Sequence, residues 1–242
     1  MSGFVIGYGQ PACQDVETML QKIEHRGPYL STICDQQYAI LAQNYLKADI
    51  SPATGPLQIP VTSLRGDTEL RMYYDGQIGN LNDLAQQCNL PEGPFMEERV
   101  MLSLYQQHGP EMFHFLNDAI FAFVISDGQE LLAARDLLGI KTLFYGWKKD
   151  TLYLASELKS LVAVTENVYE FPPGQYMNSQ ATFACFGTLS ELSKDVRYTD
   201  EDEIENDIRD IIQRSVQHRV NFAEPTACLL SGGMDSSVIG YL

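Results

Sequence analysis

The stretch AIFAFVISDGQELLAARD (residues 119–136) decides how this sequence folds. Its two runs, AIFAFVIS and ELLAARD, each hold four or more apolar residues in succession, and Asp127-Gly128 separates them. A strand with one wet face alternates polar and apolar residues, whereas a continuous apolar run needs cover on both faces. The pair therefore reads as two strands of a layered sheet joined by a turn, with Phe121 to Ile125 in its core.

The same signature recurs on either side. YAILA (38–42), LRMYYDGQIGNL (70–81), LFYGW (143–147) and LYLAS (152–156) are short apolar segments bounded by Gly, Asp or Lys turns. Between them, Glu97 to Gln107 sets Val100, Met101, Leu104 and Tyr105 at helical spacing, and Gly109-Pro110 closes the helix. Residues 15–24 predict a second helix through Val16, Met19, Leu20 and Ile23.

At 242 residues the chain is long enough for one large domain or one and a half. A net charge of −16 excludes a nucleic-acid backbone as a broad partner, because phosphate affinity needs clustered Lys and Arg. Cys13, Cys34, Cys88, Cys185 and Cys228 are odd in number and form no CxxC pair, which argues against a disulfide framework and a zinc knot. Cys13, Cys34 and Cys185 read as small buried apolar residues. His25, His108, His114 and His218 form no metal-ligand cluster. Phe4-Val5-Ile6 follows no basic segment and opens no long apolar run, so the sequence reads as cytoplasmic, with neither a signal peptide nor a membrane span.

Composition shifts after residue 186. GTLSELSKDVRYTDEDEIEND (187–207) is polar and acidic, as expected of a linker entering a helix capped by Thr199 or Asp200. Ile204, Ile208, Ile211, Ile212 and Val216 then form an apolar stripe. TACLL (226–230) predicts a short buried strand, and SGGMDSS (231–237) a loop leading into another helix. Ser231-Gly232-Gly233 lets backbone N–H groups converge on an anion, Ser236 and Ser237 add hydroxyl donors, and the helix adds the positive end of its dipole. Asp235 cannot attract phosphate directly; its place would be to hold Mg2+ against a pyrophosphate. The loop lacks the GK[ST] of a Walker A motif.

SGGxDSS after an apolar segment matches the pyrophosphate loop of ATP pyrophosphatases, and further motifs extend the likeness along the chain. HRGPY (25–29) resembles HRGPD, and YYDGQIGN (73–80) resembles YNGEIYN. LNDAIFAFVISD (116–127) is similar to LxGxFAFxxxD, and ARDLLGIKTLFYG (134–146) to ARDPLGIKPLYYG. With ASELKSL (155–161) and FPPGQY (171–176) in the same order, the sequence resembles the glutamine-dependent asparagine synthetases.

That resemblance implies an α+β fold. Residues 1–186 would form the four-layer αββα sandwich of an N-terminal-nucleophile hydrolase, a class II glutamine amidotransferase domain. Residues 187–200 would be the linker, and 201–242 the first helix, strand and loop of an α/β ATP-pyrophosphatase domain. It also implies ATP and Mg2+ as cofactors, with ATP contacts from Leu230, Ser231, Gly232, Gly233, Asp235, Ser236 and Ser237. The implied partners are small molecules: ATP, a carboxylate such as aspartate, and ammonia or an amine. A homodimer stays open, while the acidic charge and the lack of a long apolar run argue against nucleic acid and membrane as partners.

The glutamine pocket departs from the family pattern. In the family, Met1 is removed and residue 2 is a cysteine that attacks the glutamine amide; here it is Ser2, a weaker nucleophile near neutral pH. The arginine that grips the substrate carboxylate corresponds to Tyr45, a neutral phenol without a bidentate fork. In the NGE motif the oxyanion-stabilising asparagine becomes Asp75, Gly76 is retained and the glutamate becomes Gln77. A carboxylate at position 75 is expected to repel developing negative charge. The aspartate that meets the substrate amine corresponds to Glu97. Glutamine hydrolysis is accordingly expected to be absent or very weak. Arg135 and Asp136 read as a structural ion pair or a brace for the domain contact, and His25 and Arg26 as residues fixing the loop beside the pocket.

Three functions stay open at this point. One is an ATP-dependent amide-forming ligase fed by ammonia or an amine, including an intramolecular ligase resembling the β-lactam synthetases. The second is a non-catalytic interaction or regulatory module. The third is a serine-based amidohydrolase acting through Ser2 on another amide.

Overall fold

The computed structural model describes residues 2–27, 30–45, 58–59, 69–93, 95–116, 118–188, 200–220 and 227–242. The chain divides into two compact units, Met1–Leu189 and Ser190–Leu242.

Unit 1 begins with β1 (Gly3–Tyr8), α1 (Cys13–Lys22) and a 3-10 turn at Glu24–Arg26, then β2 (Leu30–Gln36) and β3 (Ala39–Tyr45). Next come β4 (Gln58–Ile59), β5 (Leu70–Ile78), α2 (Leu81–Gln87) and α3 (Met96–His108). A 3-10 segment at Gly109–Phe115 leads to β6 (Ala119–Ser126), β7 (Leu131–Arg135), β8 (Phe144–Lys148) and β9 (Thr151–Ala155). The short α4 (Leu158–Leu161) precedes β10 (Asn167–Glu170), β11 (Gln175–Asn178) and β12 (Phe183–Cys185).

The strands form two sheets, ordered β10-β8-β9-β1-β3-β2 and β12-β11-β7-β6-β5-β4, whose neighbours all pair antiparallel. Phe121, Phe123 and Ile125 of β6 pack with Met101 and Leu104 of α3 on the outer face of the second sheet. Ala122 and Val124 alternate with them and meet Phe4, Ile6 and Leu154 of the first sheet. Both faces of β6 are thus covered, which is why its sequence runs apolar without alternation. On the far side, Val5 and Tyr153 pack against Val16, Met19 and Leu20 of α1. Helix, sheet, sheet and helix make four layers.

The predicted helix at 97–107 is α3, and Gly109 ends it with φ of +56°. The helix expected at 15–24 is α1 with the 3-10 turn behind it. The cysteine assignments need correction: Cys13 and Cys185 are exposed and Cys34 is only partly covered. Cys13 opens a helix, where its thiol reaches Glu17, while Cys34 and Cys185 lie on β2 and β12, the last strands of their sheets among the described residues.

Unit 2 comprises α5 (Glu201–Gln217) and α6 (Met234–Tyr241). Asp200 caps α5 by accepting from the Asp202 amide at 3.0 Å; Thr199 lies outside the described residues. Residues 227–230 of the predicted TACLL strand run without strand structure, and Leu229 is 96% exposed. The reason is physical: an isolated strand leaves its amides and carbonyls without ladder partners, and no strand occurs among the described residues of unit 2. Most of the expected linker, residues 189–199, lies outside the described residues. Among the described residues, no helix is long and apolar enough to cross a membrane.

Candidate functional site

Three positions singled out in the sequence, Asp75, Gly76 and Gln77, follow one another near the end of β5. Strand alternation aims Asp75 to the same side as Tyr73, whose ring belongs to the core between the sheets. Tyr74 aims the other way, beneath α3. Among the described residues its buried hydroxyl meets no hydrogen-bond partner; burial, then the nearby Glu97, Glu98 and Asp75 carboxylates, hold the phenol well above its usual range. Gly76 is required by space, since a Cβ there would lie 2.5 Å from the Ile120 carbonyl oxygen and from the Tyr74 ring. Glu97 in the first turn of α3 accepts from the Ile78 amide at 2.9 Å, which ties the helix start to the end of β5.

Ser2 enters through Arg26. The Arg26 Nε donates to the Ser2 carbonyl oxygen at 3.2 Å, Nη2 reaches Asp75 Oδ2 at 2.6 Å, and Nη1 reaches Glu157 Oε1 at 3.3 Å. One guanidinium therefore binds the start of β1 to the Asp75–Gln77 segment of β5. Gly3 makes room for it, because a Cβ at that position would lie 2.8 Å from Arg26 Cδ. The second oxygen of Asp75 accepts from Lys141 Nζ at 3.1 Å. Asp75 is 4% exposed, and the side chains of Arg26 and Lys141 are 12% and 14% exposed. Outside this core, Glu157 also meets His25 Nε2 at 3.0 Å and Lys159 Nζ at 3.1 Å.

Asp75 is not a bare carboxylate. Each of its oxygens faces a cation, so its charge is compensated within the fold. What it lacks is a donor, since an ionised carboxylate only accepts hydrogen bonds where an asparagine amide would donate two.

Arg135 and Asp136 do not pair with each other among the described residues; they turn to different partners. Arg135 donates to the carbonyls of Gly139, Lys141 and Phe171 and pairs with Glu170 at 2.7 Å. Asp136 accepts from the amides of Leu138, Ile140, Lys141 and Phe121 at 2.9–3.3 Å. Together they fix the turn from which Lys141 reaches Asp75.

The structure thus brings together Ser2, Asp75, Gly76, Gln77 and Glu97. Tyr45 ends β3 one residue beyond Asn44, the β-partner of Gly3, so its backbone lies beside the Ser2 end of β1; its side chain lies outside the described residues. Sequence reasoning missed Lys141 and Glu157 and gave Arg26 only a bracing role. The signal available was charge: Lys and Arg number 16 against 32 Asp and Glu, yet Arg26, Lys141 and Lys159 all fall inside the quoted motifs.

In unit 2, Ser231, Gly232 and Gly233 lead into α6. Gly232 has φ of +81° with open space where a Cβ would stand, a backbone state that favours glycine. The Ser237 amide is the first in α6 to bond back to the Gly233 carbonyl, so those of Met234, Asp235 and Ser236 have no intrahelical acceptor. Ser231 Oγ and Ser236 Oγ lie 2.9 Å apart, and the Ser236 and Ser237 hydroxyls reach the Gly233 carbonyl. This exposed set of helix-start amides and hydroxyls suits an anion such as a phosphate.

Two antiparallel sheets sandwiched between helices, with Ser2 at the head of a central strand, define the αββα class of N-terminal-nucleophile hydrolases. Residues 1–196 match the glutamine amidotransferase domain family, and the chain belongs to it. Residues 207–242 match the asparagine synthase family. Among curated proteins, the chain is similar to a probable glutamine-hydrolysing asparagine synthetase of Schizosaccharomyces pombe, at 32% identity over 92% of this chain and 40% of that protein. It is likewise similar to asparagine synthetase B (glutamine-hydrolysing) of Escherichia coli K12, at 33% identity over 91% of this chain and 40% of that protein. The chain therefore spans about two fifths of the length of these relatives. Glutamine phosphoribosylpyrophosphate amidotransferase from B. subtilis shares the fold, with a TM-score of 0.63 at 18% identity, covering 77% of this chain and 49% of that one.

Proposed function

We propose that this chain is the amidotransferase side of an ATP-dependent, amide-forming ligase whose glutaminase site no longer hydrolyses glutamine. In this reading, residues 1–186 serve as a scaffold and residues 201–242 open the nucleotide-binding domain. The observation that carries it is Asp75: its carboxylate is paired to Arg26 and Lys141 at the position that resembles an oxyanion donor. Loss of one such donor alone costs about a hundredfold or more in rate. Ser2 compounds the loss, because a neutral hydroxyl is a poorer nucleophile than a partly ionised thiol. A serine-based hydrolase acting on another amide would face the same lack of a donor at position 75.

The pyrophosphate of ATP would be held by the amides and hydroxyls of Ser231, Gly232, Gly233, Ser236 and Ser237, beside Leu230, with Asp235 facing Mg2+. Bound ATP would supply an adenylyl group to a carboxylate such as aspartate, with pyrophosphate leaving. Ammonia or an amine would then form the amide bond, with AMP as the group displaced.

Pyrophosphate exchange into ATP by the full-length gene product tests this reading. Against a panel of carboxylates, exchange is expected with one of them, and amide product with ammonium or an amine but not with glutamine alone. Glutamine-supported amide formation, or exchange indifferent to every carboxylate, contradicts it.

A further inference from the structure

Arg26 and Lys141 are held in place by groups other than Asp75. Ser2 and Glu157 anchor two nitrogens of the Arg26 guanidinium. Arg135 holds the Lys141 carbonyl at 2.7 Å, and Asp136 holds the Lys141 amide at 2.9 Å. The turn that carries the ammonium is therefore fixed independently of the ion it meets. Two cations, each with little exposure, converge from separate elements on the two oxygens of one carboxylate.

We infer that Arg26 and Lys141 form a carboxylate-binding site which the chain fills from within, with Asp75 as its resident ligand. The arrangement has the parts of a carboxylate receptor: a guanidinium nitrogen on one oxygen, an ammonium on the other, and low exposure that limits screening by water. While Asp75 occupies it, an external carboxylate meets a satisfied pair of cations. The inference rests on the same residue as the proposed loss of glutaminase, and it adds that the site is closed by occupation as well as by lack of a donor.

The test is replacement of the internal ligand by an external one. Asp75→Ala should lower the Tm by roughly 6–20 °C, the shift expected when a buried pair loses one partner. Sodium formate or acetate should then raise the Tm of Asp75→Ala by about 3 °C or more at ten times its dissociation constant, relative to sodium chloride at equal ionic strength. Wild type and the isosteric Asp75→Asn should show no such carboxylate-specific rise. Equal effects on wild type, or equal effects of chloride, would overturn the inference. If Asp75→Ala does not fold, a cycle of Asp75→Asn with Lys141→Met decides: Lys141→Met should cost stability in wild type and little in the Asp75→Asn background, and equal costs in both contradict the assignment. Glutamine turnover by wild type would remove the proposed function and leave the carboxylate result standing; absence of carboxylate rescue would do the reverse.

Discussion

Arg26 and Asp75 meet at 2.6 Å, joining the turn behind α1 to the strand segment that carries the candidate site. The pairing makes position 75 part of the framework. Substitutions around this contact measure what it contributes to the stability of unit 1.

Removing the guanidinium leaves Asp75 with Lys141 alone among the described residues and takes a donor from the Ser2 carbonyl. Arg26→Met is expected to destabilise unit 1 by roughly 3–5 kcal/mol, the usual cost of breaking one side of a buried pair. Arg26→Lys should recover little of it, because one ammonium on a flexible stem does not reproduce three donors set in a plane. Urea denaturation of the two variants checks this; equal stability of Arg26→Lys and wild type contradicts it.

Asp136 is 1% exposed and accepts four backbone amides. Asp136→Asn replaces one acceptor oxygen with a donor that faces N–H groups. The expected cost is about 2–3 kcal/mol, with faster hydrogen exchange at the amides of Leu138, Ile140 and Lys141. Unchanged exchange at these three positions would show that the turn is held by other means.

Glu157 gives the site an acid limb. Burial would raise its pKa, but the Lys159 hydrogen bond, His25 and Arg26 outweigh it and hold the carboxyl below its usual value. A group whose folded pKa is depressed stabilises fully above its unfolded pKa, near 4.3, and loses that contribution as pH falls through the lower folded value. Urea midpoints of wild type and Glu157→Gln should therefore differ above about pH 5 and converge on acidification. A gap that widens as pH falls would reverse the sign and refute the assignment.

Gly76 tests the packing of the strand. The pairing of Gly76 with Phe121 fixes the backbone against β6, and an added methyl would overlap the Ile120 carbonyl oxygen. Gly76→Ala is expected to cost about 1–3 kcal/mol in thermal or urea unfolding through displaced backbone. A neutral result would mean that β5 can shift without loss.

The layered fold was legible because it leaves a periodic trace. Continuous apolar runs at β6 and β7 could only be strands covered twice, and the spacing of Val100, Met101 and Leu104 could only bury one helix face. The candidate site was legible in its identities and less so in its electrostatics. Asp75 looked like a bare carboxylate because Arg26 and Lys141, 49 and 66 residues away in sequence, meet it only through tertiary structure. Arg135 and Asp136 looked paired because they are adjacent, yet adjacent strand-end side chains point apart and find separate partners. TACLL looked like a strand by its apolar content, but a strand also needs neighbours, which local composition does not encode.

The central claim, that this amidotransferase fold has kept its framework and lost its glutamine chemistry, is met most directly by ammonia release from L-glutamine. The chain and its Ser2→Ala variant are compared at equal concentration, with intact-mass analysis to establish whether Met1 has been removed. Release indistinguishable from the Ser2→Ala background is the predicted result. Sustained turnover by the chain that disappears in Ser2→Ala would contradict the account.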